Sequence, residues 1–371
     1  MTENKCPSLY LHVPFCASFC YYCDFKRRIY QPETADRWLD AIETELRAAD
    51  INTDLETIYI GGGTPSCLSC AQLNRLLDML EPYAAGVKEF TVECNPETVT
   101  RETIDVLCAH HVNRISIGLQ TAKPSLLKAV NRRHTADDVK RLVAQFRSCG
   151  ISNISLDLMY GLPHQTMEDL NDSIAFAHSC SPNHLSLYSL TVEPGSVFGK
   201  TGVQPADPDL EADMYDLLCE RLKALGYEHY EISNFARDGA YSMHNCCVWE
   251  YRDFYGIGFG ACGKDAKGRY DHAESLPLYL DDPTQRIYTV LTKAEQMFET
   301  VMMGLRLKDG IDESRFYALY GRMIENVYPR TVESLCSAGL LQRQDGHLSC
   351  TDNGWPILNT ILVQFMEEAE L

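Results

Sequence analysis

Apolar and β-branched residues cluster into six short runs over the first half of the chain, at 9–13, 57–60, 89–93, 114–118, 154–159 and 184–190. Runs of this length and composition predict strands covered on both faces. Between them the apolar positions repeat every three and four residues, as at Leu39, Ile42 and Leu46. That period predicts helices over 34–48, 71–80, 136–146 and 209–225. The runs recur at roughly 35 residues, the length of one strand-plus-helix unit. Strands alternating with helices predict a parallel sheet with crossover connections. Six units are too few for the closed eight-stranded barrel, so the pattern predicts an α/β fold built as a partial, six-stranded parallel β/α barrel, open on one side.

From 239 to 283 the rhythm breaks, with Gly256, Gly258, Gly260, Gly263 and Gly268 crowded together. This stretch is expected to be an irregular bridge. Beyond it, 294–305 and 312–320 read as helices, and 330–338 ends at Gly339, a helix stop. Segments 340–343 and 347–350 flank Gln344-Asp345-Gly346, a hairpin signal, and a last helix is expected over 353–368. Three helices and a hairpin make a winged-helix-like pattern. The chain thus divides into a core over 1–235, a bridging segment over 236–290 and a small C-terminal helical domain over 291–371. No internal repeat or low-complexity tract interrupts it.

Charge changes what the C-terminal pattern can mean. Winged helices often bind DNA, but 33 Lys and Arg stand against 52 Asp and Glu, a net charge of −19. Phosphate binding needs a basic surface, so no nucleic-acid partner is expected. No apolar run approaches the ~18 residues of a membrane span. The start, Met1-Thr2-Glu3-Asn4-Lys5-Cys6, lacks the apolar segment of a signal peptide, and the expected location is the cytoplasm. Sixteen cysteines in 371 residues are too few for a disulfide scaffold. Reduced and buried, Cys94, Cys108, Cys149, Cys180, Cys219, Cys336 and Cys350 read as small hydrophobic residues.

Three cysteines packed into eight residues do not. Cys16, Cys20 and Cys23 form a C-x3-C-x2-C motif just after the first predicted strand. Three thiolates at this spacing suit a [4Fe–4S] cluster with one iron left open. The alternative is a structural zinc site, closed by Cys6, Cys67 or Cys70. Other strand ends also carry chemistry. Gly61-Gly62-Gly63-Thr64-Pro65 follows the second strand, where glycines admit close backbone approach to a ligand or simply form a tight turn. Glu93 closes the third strand, Gln120 follows the fourth and Asp157 lies in the fifth. In a parallel barrel such groups converge on one mouth.

These motifs, with Tyr10 to Phe15, Glu93-Cys94-Asn95-Pro96-Glu97, Ile115 to Gln120, Asn131-Arg132 and Asp157 to Pro163, run in order through the first 235 residues. Together they closely resemble the radical S-adenosylmethionine (SAM) family that contains oxygen-independent coproporphyrinogen III oxidase. The resemblance implies a partial barrel of radical SAM type. It implies that SAM chelates the open iron and is cleaved by one electron to methionine and a 5′-deoxyadenosyl radical. By position, Tyr10, Gly62, Gly63, Thr64, Glu93, Gln120, Arg132 and Asp157 are implied SAM contacts, with Tyr22 also among the cofactor-binding residues.

Two branches of the family differ here. The oxidases are longer at the N-terminus and carry one more cysteine two positions after the third ligand. This chain has Asp24-Phe25, and nine residues precede Tyr10. Both features resemble the haem-chaperone branch, which implies haem binding and delivery to an acceptor protein, with an electron donor for the cluster. That branch carries a His-Asn-x-x-Tyr-Trp segment associated with haem. The segment here is His244-Asn245-Cys246-Cys247-Val248-Trp249, with Val248 in place of tyrosine. His244 is a chemically sensible iron ligand or a hydrogen-bonded loop histidine. Cys246 and Cys247 offer a soft ligand or are simply buried. The rival functions are the oxidase reaction and a zinc-dependent interaction module.

Overall fold

Each of the six apolar runs forms a strand, and each is almost wholly buried because helices cover one face and the barrel interior the other. In the computed structural model, which describes residues 7–369, these strands are β1 (Ser8–Val13), β2 (Thr57–Gly62), β3 (Glu89–Cys94), β4 (Arg114–Gln120), β5 (Asn153–Tyr160) and β6 (His184–Ser189). Neighbours pair in parallel, with Leu9 opposite Ile58 and Val92 opposite Ile115. Between them run α1 (Pro32–Ala48), α2 (Cys70–Ala84), α3 (Arg101–Ala109), α4 (Ala136–Ser148) and α5 (Met167–Ser179), with α6 (Pro208–Ala224) following β6. Capping boxes start several of these helices: Thr135 N donates to Asp138 Oδ2 at 2.7 Å, and Asp138 N returns a bond to Thr135 Oγ1 at 3.3 Å. The fold is the expected partial barrel with a C-terminal helical domain.

The expected irregular bridge is instead an extension of the sheet. After β7 (Glu228–Glu231), β8 (Asn234–Ala236) and the short helix α7 (Met243–Trp249) come β9 (Phe254–Ile257), β10 (Cys262–Asp265), β11 (Gly268–Asp271) and β12 (Ile287–Val290). The full order is β12-β11-β10-β9-β1-β2-β3-β4-β5-β6-β8-β7. β9 lies parallel to β1, with Ser8 opposite Phe254 and Leu11 opposite Ile257. The glycines that hid these strands are needed within them: a Cβ on Gly263 would fall 2.2 Å from the Tyr270 ring on the neighbouring strand.

The C-terminal domain follows the predicted pattern. Helices α8 (Lys293–Gly304), α9 (Glu313–Tyr320) and α10 (Pro329–Ser337) precede a hairpin of β13 (Leu341–Gln344) and β14 (His347–Cys350), then α11 (Leu358–Ala369). Asp345 and Gly346 both take positive φ, 51° and 81°, as a tight hairpin turn demands. Val301, Phe316, Tyr328, Leu348 and Phe365 form a core separate from that of the barrel. Among the described residues no helix is long and apolar enough to cross a membrane.

Candidate functional site

Strand polarity delivers Cys16, Cys20 and Cys23 to the carboxyl-terminal mouth of the barrel, because the segment carrying them follows β1 directly. All three line a cavity of about 430 Å³, together with Tyr22, Gly62, Gly63, Thr64, Glu93, Gln120, Arg132 and Asp157. Among the described residues no three His, Cys, Asp or Glu side chains gather as a one-ion site does. Cys67 and Cys70 do not line the cavity, and Cys6 lies outside the described residues.

A chain of hydrogen bonds joins two of the cysteines. Thr64 Oγ1 donates to Cys16 Sγ at 3.7 Å, and Asn95 Nδ2 donates to Thr64 Oγ1 at 2.8 Å. Arg132 Nη2 donates to Asn95 Oδ1 at 2.8 Å, while Nη1 donates to Cys20 Sγ at 3.7 Å. Arg132 also bonds the Gly118 carbonyl at 3.0 Å and pairs with Glu97 at 3.1 Å. Burial opposes the guanidinium charge, but Cys20, Tyr22 and Glu97 hold it firmly protonated. Burial would raise Glu97 as well, yet His134 and Arg132 hold it down to about 2.

Two carboxylates face the same cavity in a different state. Burial pushes Glu93 up to about 7, and the nearby Asp157 charge adds to this. Bonds from Tyr59 Oη at 2.8 Å and Gly62 N at 3.1 Å oppose it. Asp157 is also raised by burial, against a bond from Ser116 Oγ at 3.0 Å. Gly62 has φ +104°, and a Cβ there would lie 2.5 Å from the His12 ring; one on Gly63 would lie 2.5 Å from the Phe15 carbonyl. The glycine run therefore serves strand packing as well as the cavity wall. Gln120 takes φ +64° where the β4–β5 register slips, a bulge at the strand end that carries this residue to the cavity.

Tyr10 does not join this group. It lies three residues before the end of β1, deeper in the barrel, and its hydroxyl is 3.0 Å from His12 Nδ1. It lines a second cavity, of about 1230 Å³, with His244. The two cavities share Tyr59 and Tyr188 in their walls. His244 stands near the start of α7, a helix and not a loop. Glu89 holds that helix end, accepting from Met243 N at 2.9 Å and His244 N at 3.1 Å. His244 Nδ1 is 2.9 Å from Thr57 Oγ1, and its ring lies 5.1 Å from that of Tyr59. Burial pushes His244 down to about 3, so the ring is neutral at pH 7. Asn245, Val248, Trp249 and Phe254 line the same cavity. Cys246 borders a different cavity, and Cys247 accepts from Arg252 at 3.6 Å, so neither thiol faces His244's cavity.

The Radical SAM superfamily matches residues 10–177 and the HemN C-terminal domain matches 291–357. Haem chaperone HemW of Bacillus subtilis (strain 168) is 36% identical to this chain, covering 97% of it and 99% of that protein. The chain belongs to the HemW family. HemW of Lactococcus lactis subsp. lactis (strain IL1403) is 37% identical, with 98% of each chain covered. Coproporphyrinogen III oxidase (HemN) from Escherichia coli superposes with a TM-score of 0.83 at 22% identity, over 98% of this chain and 91% of that one. The HemN likeness is one of fold.

Within this HemW-family fold several residues emerge that the sequence motifs did not single out. Asn95 and Ser116 hold the first cavity's polar side chains in place, and Tyr59 spans both cavities. Tyr59 sits on an apolar strand, where a lone hydroxyl residue gives no signal, and Ser116 was legible only as part of Ile115 to Gln120. Asn95 was legible only as part of Glu93-Cys94-Asn95-Pro96-Glu97.

Proposed function

We propose that this protein is a haem chaperone. It takes up haem in the larger cavity with His244 as an iron ligand, and passes it to an acceptor protein. It carries a [4Fe–4S] cluster on Cys16, Cys20 and Cys23, with SAM exchangeable at the open iron and reduction by an electron donor. One observation carries the haem assignment. His244 is neutral, its Nδ1 is engaged by Thr57, and it borders a large cavity walled by Tyr10, Val248, Trp249 and Phe254. A neutral imidazole and apolar aromatic walls are what a flat iron macrocycle requires. The similarity to HemW haem chaperones points the same way.

The smaller cavity fits the cluster by its donor set: three thiols, with a firmly protonated guanidinium against one of them to balance thiolate charge. When bound there, cluster and SAM supply one-electron chemistry. Glu93, titrating near neutral pH, can give or accept a hydrogen bond towards SAM, and Asp157 can accept from an amino or hydroxyl group. Gly62 and Gly63 leave backbone open to the ligand. Gln120 offers an amide to the same cavity, and Tyr22 lines it beside Cys20 and Cys23.

The test is spectroscopic. Anaerobically purified protein should be brown, gain a Soret band on adding haem, and lose that band to an apo-haem protein. With SAM, reductant and coproporphyrinogen III it should form no protoporphyrinogen. A colourless protein contradicts the cluster assignment, no Soret band contradicts the haem assignment, and multiple turnovers to protoporphyrinogen establish the oxidase reaction in its place.

A further inference from the structure

The larger cavity is walled partly by the C-terminal domain, and beside that cavity the domain is joined to the barrel by backbone bonds. Ile232 N donates to the Arg306 carbonyl at 2.9 Å, Lys308 N donates to the Tyr230 carbonyl at 2.9 Å, and Glu231 pairs with Leu307 as an antiparallel bridge. The backbone of Arg306 is therefore tied to the strand segment ending in Glu231. Its side chain reaches the cavity wall beside Trp355 and Leu358 of the same domain. The guanidinium carbon lies 5.5 Å from the Trp249 ring centre, and Nη1 donates to the Met302 carbonyl at 2.6 Å.

Arg306 is not neutralised there. Glu231 is the one charged neighbour that favours its protonation, without approaching as an ion pair among the described residues. Glu231 itself is fully buried, and its carboxyl is pushed up to about 7 by that burial. Asn234 and Trp249 stand against that carboxyl and counter the rise. Here a cation with spare donors and an indole N–H border one aromatic cavity.

The distance suits haem. His244 and Trp249 are five residues apart on α7, a rise of about 7.5 Å, and Arg306 lies over Trp249. That separation is comparable with the reach from the centre of a porphyrin to its carboxylate arms. Haem is apolar over its face and carries two propionates, which in a desolvated site need a cation.

We infer that Arg306 receives a haem propionate, so that the C-terminal domain supplies part of the haem site. This rests on the assignment of haem to the His244 cavity. A planar guanidinium can meet a carboxylate with two parallel N–H donors, so lysine is expected to replace it only in part.

The experiment titrates wild type, Arg306→Gln, Arg306→Lys and His244→Ala with haem and with the dimethyl ester of haem, which lacks the charged carboxylates. Arg306→Gln should weaken haem binding roughly ten- to a hundredfold while leaving ester binding unchanged, and Arg306→Lys should fall between. Comparing two ligands on one variant cancels any loss of folded protein. Equal loss for both ligands, or no loss for either, overturns the inference. His244→Ala separates the two claims. If it alters the Soret band and Arg306→Gln changes nothing, only the role of Arg306 fails. If neither variant changes haem binding, the cavity assignment fails with it.

Discussion

Tyr59 donates its phenol to Glu93 Oε1 at 2.8 Å, and this bond stands at the wall common to both cavities. On one side Glu93 faces the cysteine mouth; on the other the Tyr59 ring lies 5.1 Å from His244. A change of ligand in either cavity therefore acts on a residue that borders the other. Such coupling is testable through Glu93, whose ionisation the bond opposes losing.

Glu93 is raised from about 4.5 in the unfolded chain to about 7 in the folded one. The folded state thus binds more protons between these values. Its contribution to stability is fully present below about 4.5 and is lost as pH rises through about 7. Glu93→Gln removes the charged form, so the variant should match wild type near pH 4 and be more stable at pH 8 by about 1–3 kcal/mol. Urea unfolding at the two pH values measures this. The same variant should bind SAM more weakly, and a stability gain without that loss would remove Glu93 from the SAM site.

Cys20→Ala should abolish the cluster, because Cys20 is one of three thiols on the cavity and the one against Arg132. Cys149→Ala should leave it intact, since Cys149 packs against the barrel's hydrophobic core. Iron analysis after anaerobic reconstitution should give about four irons per chain for wild type and Cys149→Ala, and close to none for Cys20→Ala. Equal loss in both variants contradicts the ligand assignment.

Val248 occupies the position where the haem-associated segment carries tyrosine, and it lines the His244 cavity. Val248→Tyr adds an aromatic face and a phenol to that wall. One extra hydrogen bond is worth roughly 0.5–1.5 kcal/mol, so haem should bind about two- to tenfold tighter. An unchanged or weakened affinity in a stably folded variant would place haem away from this wall.

Much of this was legible in the chain, for reasons that differ by element. β1 to β6 were readable because parallel strands covered on both faces are written as unbroken apolar runs. β9 to β12 were not: Gly256 and Gly263, required where strand and ring close up, look in sequence like loop glycines. The cysteine mouth was readable because strand polarity sends Cys16, Glu93, Gln120 and Asp157 to one end. Tyr10 lies deeper than these, on the second cavity, because a motif gives order along the chain but not depth within a barrel. Cys246 and Cys247 adjoin His244 in sequence, yet helix geometry turns adjacent side chains onto different faces, and neither shares its cavity. Arg306 was invisible, since nothing in its neighbours at the end of α8 signals a position against β7.

The most direct measurement is haem titration of wild type and His244→Ala under anaerobic conditions, followed in the Soret region. Wild type should give a saturable band, and His244→Ala should shift it or weaken binding at least tenfold, with the cluster absorption unchanged. Identical Soret bands and affinities for the two proteins would contradict the account, leaving His244 a packed histidine bonded to Thr57.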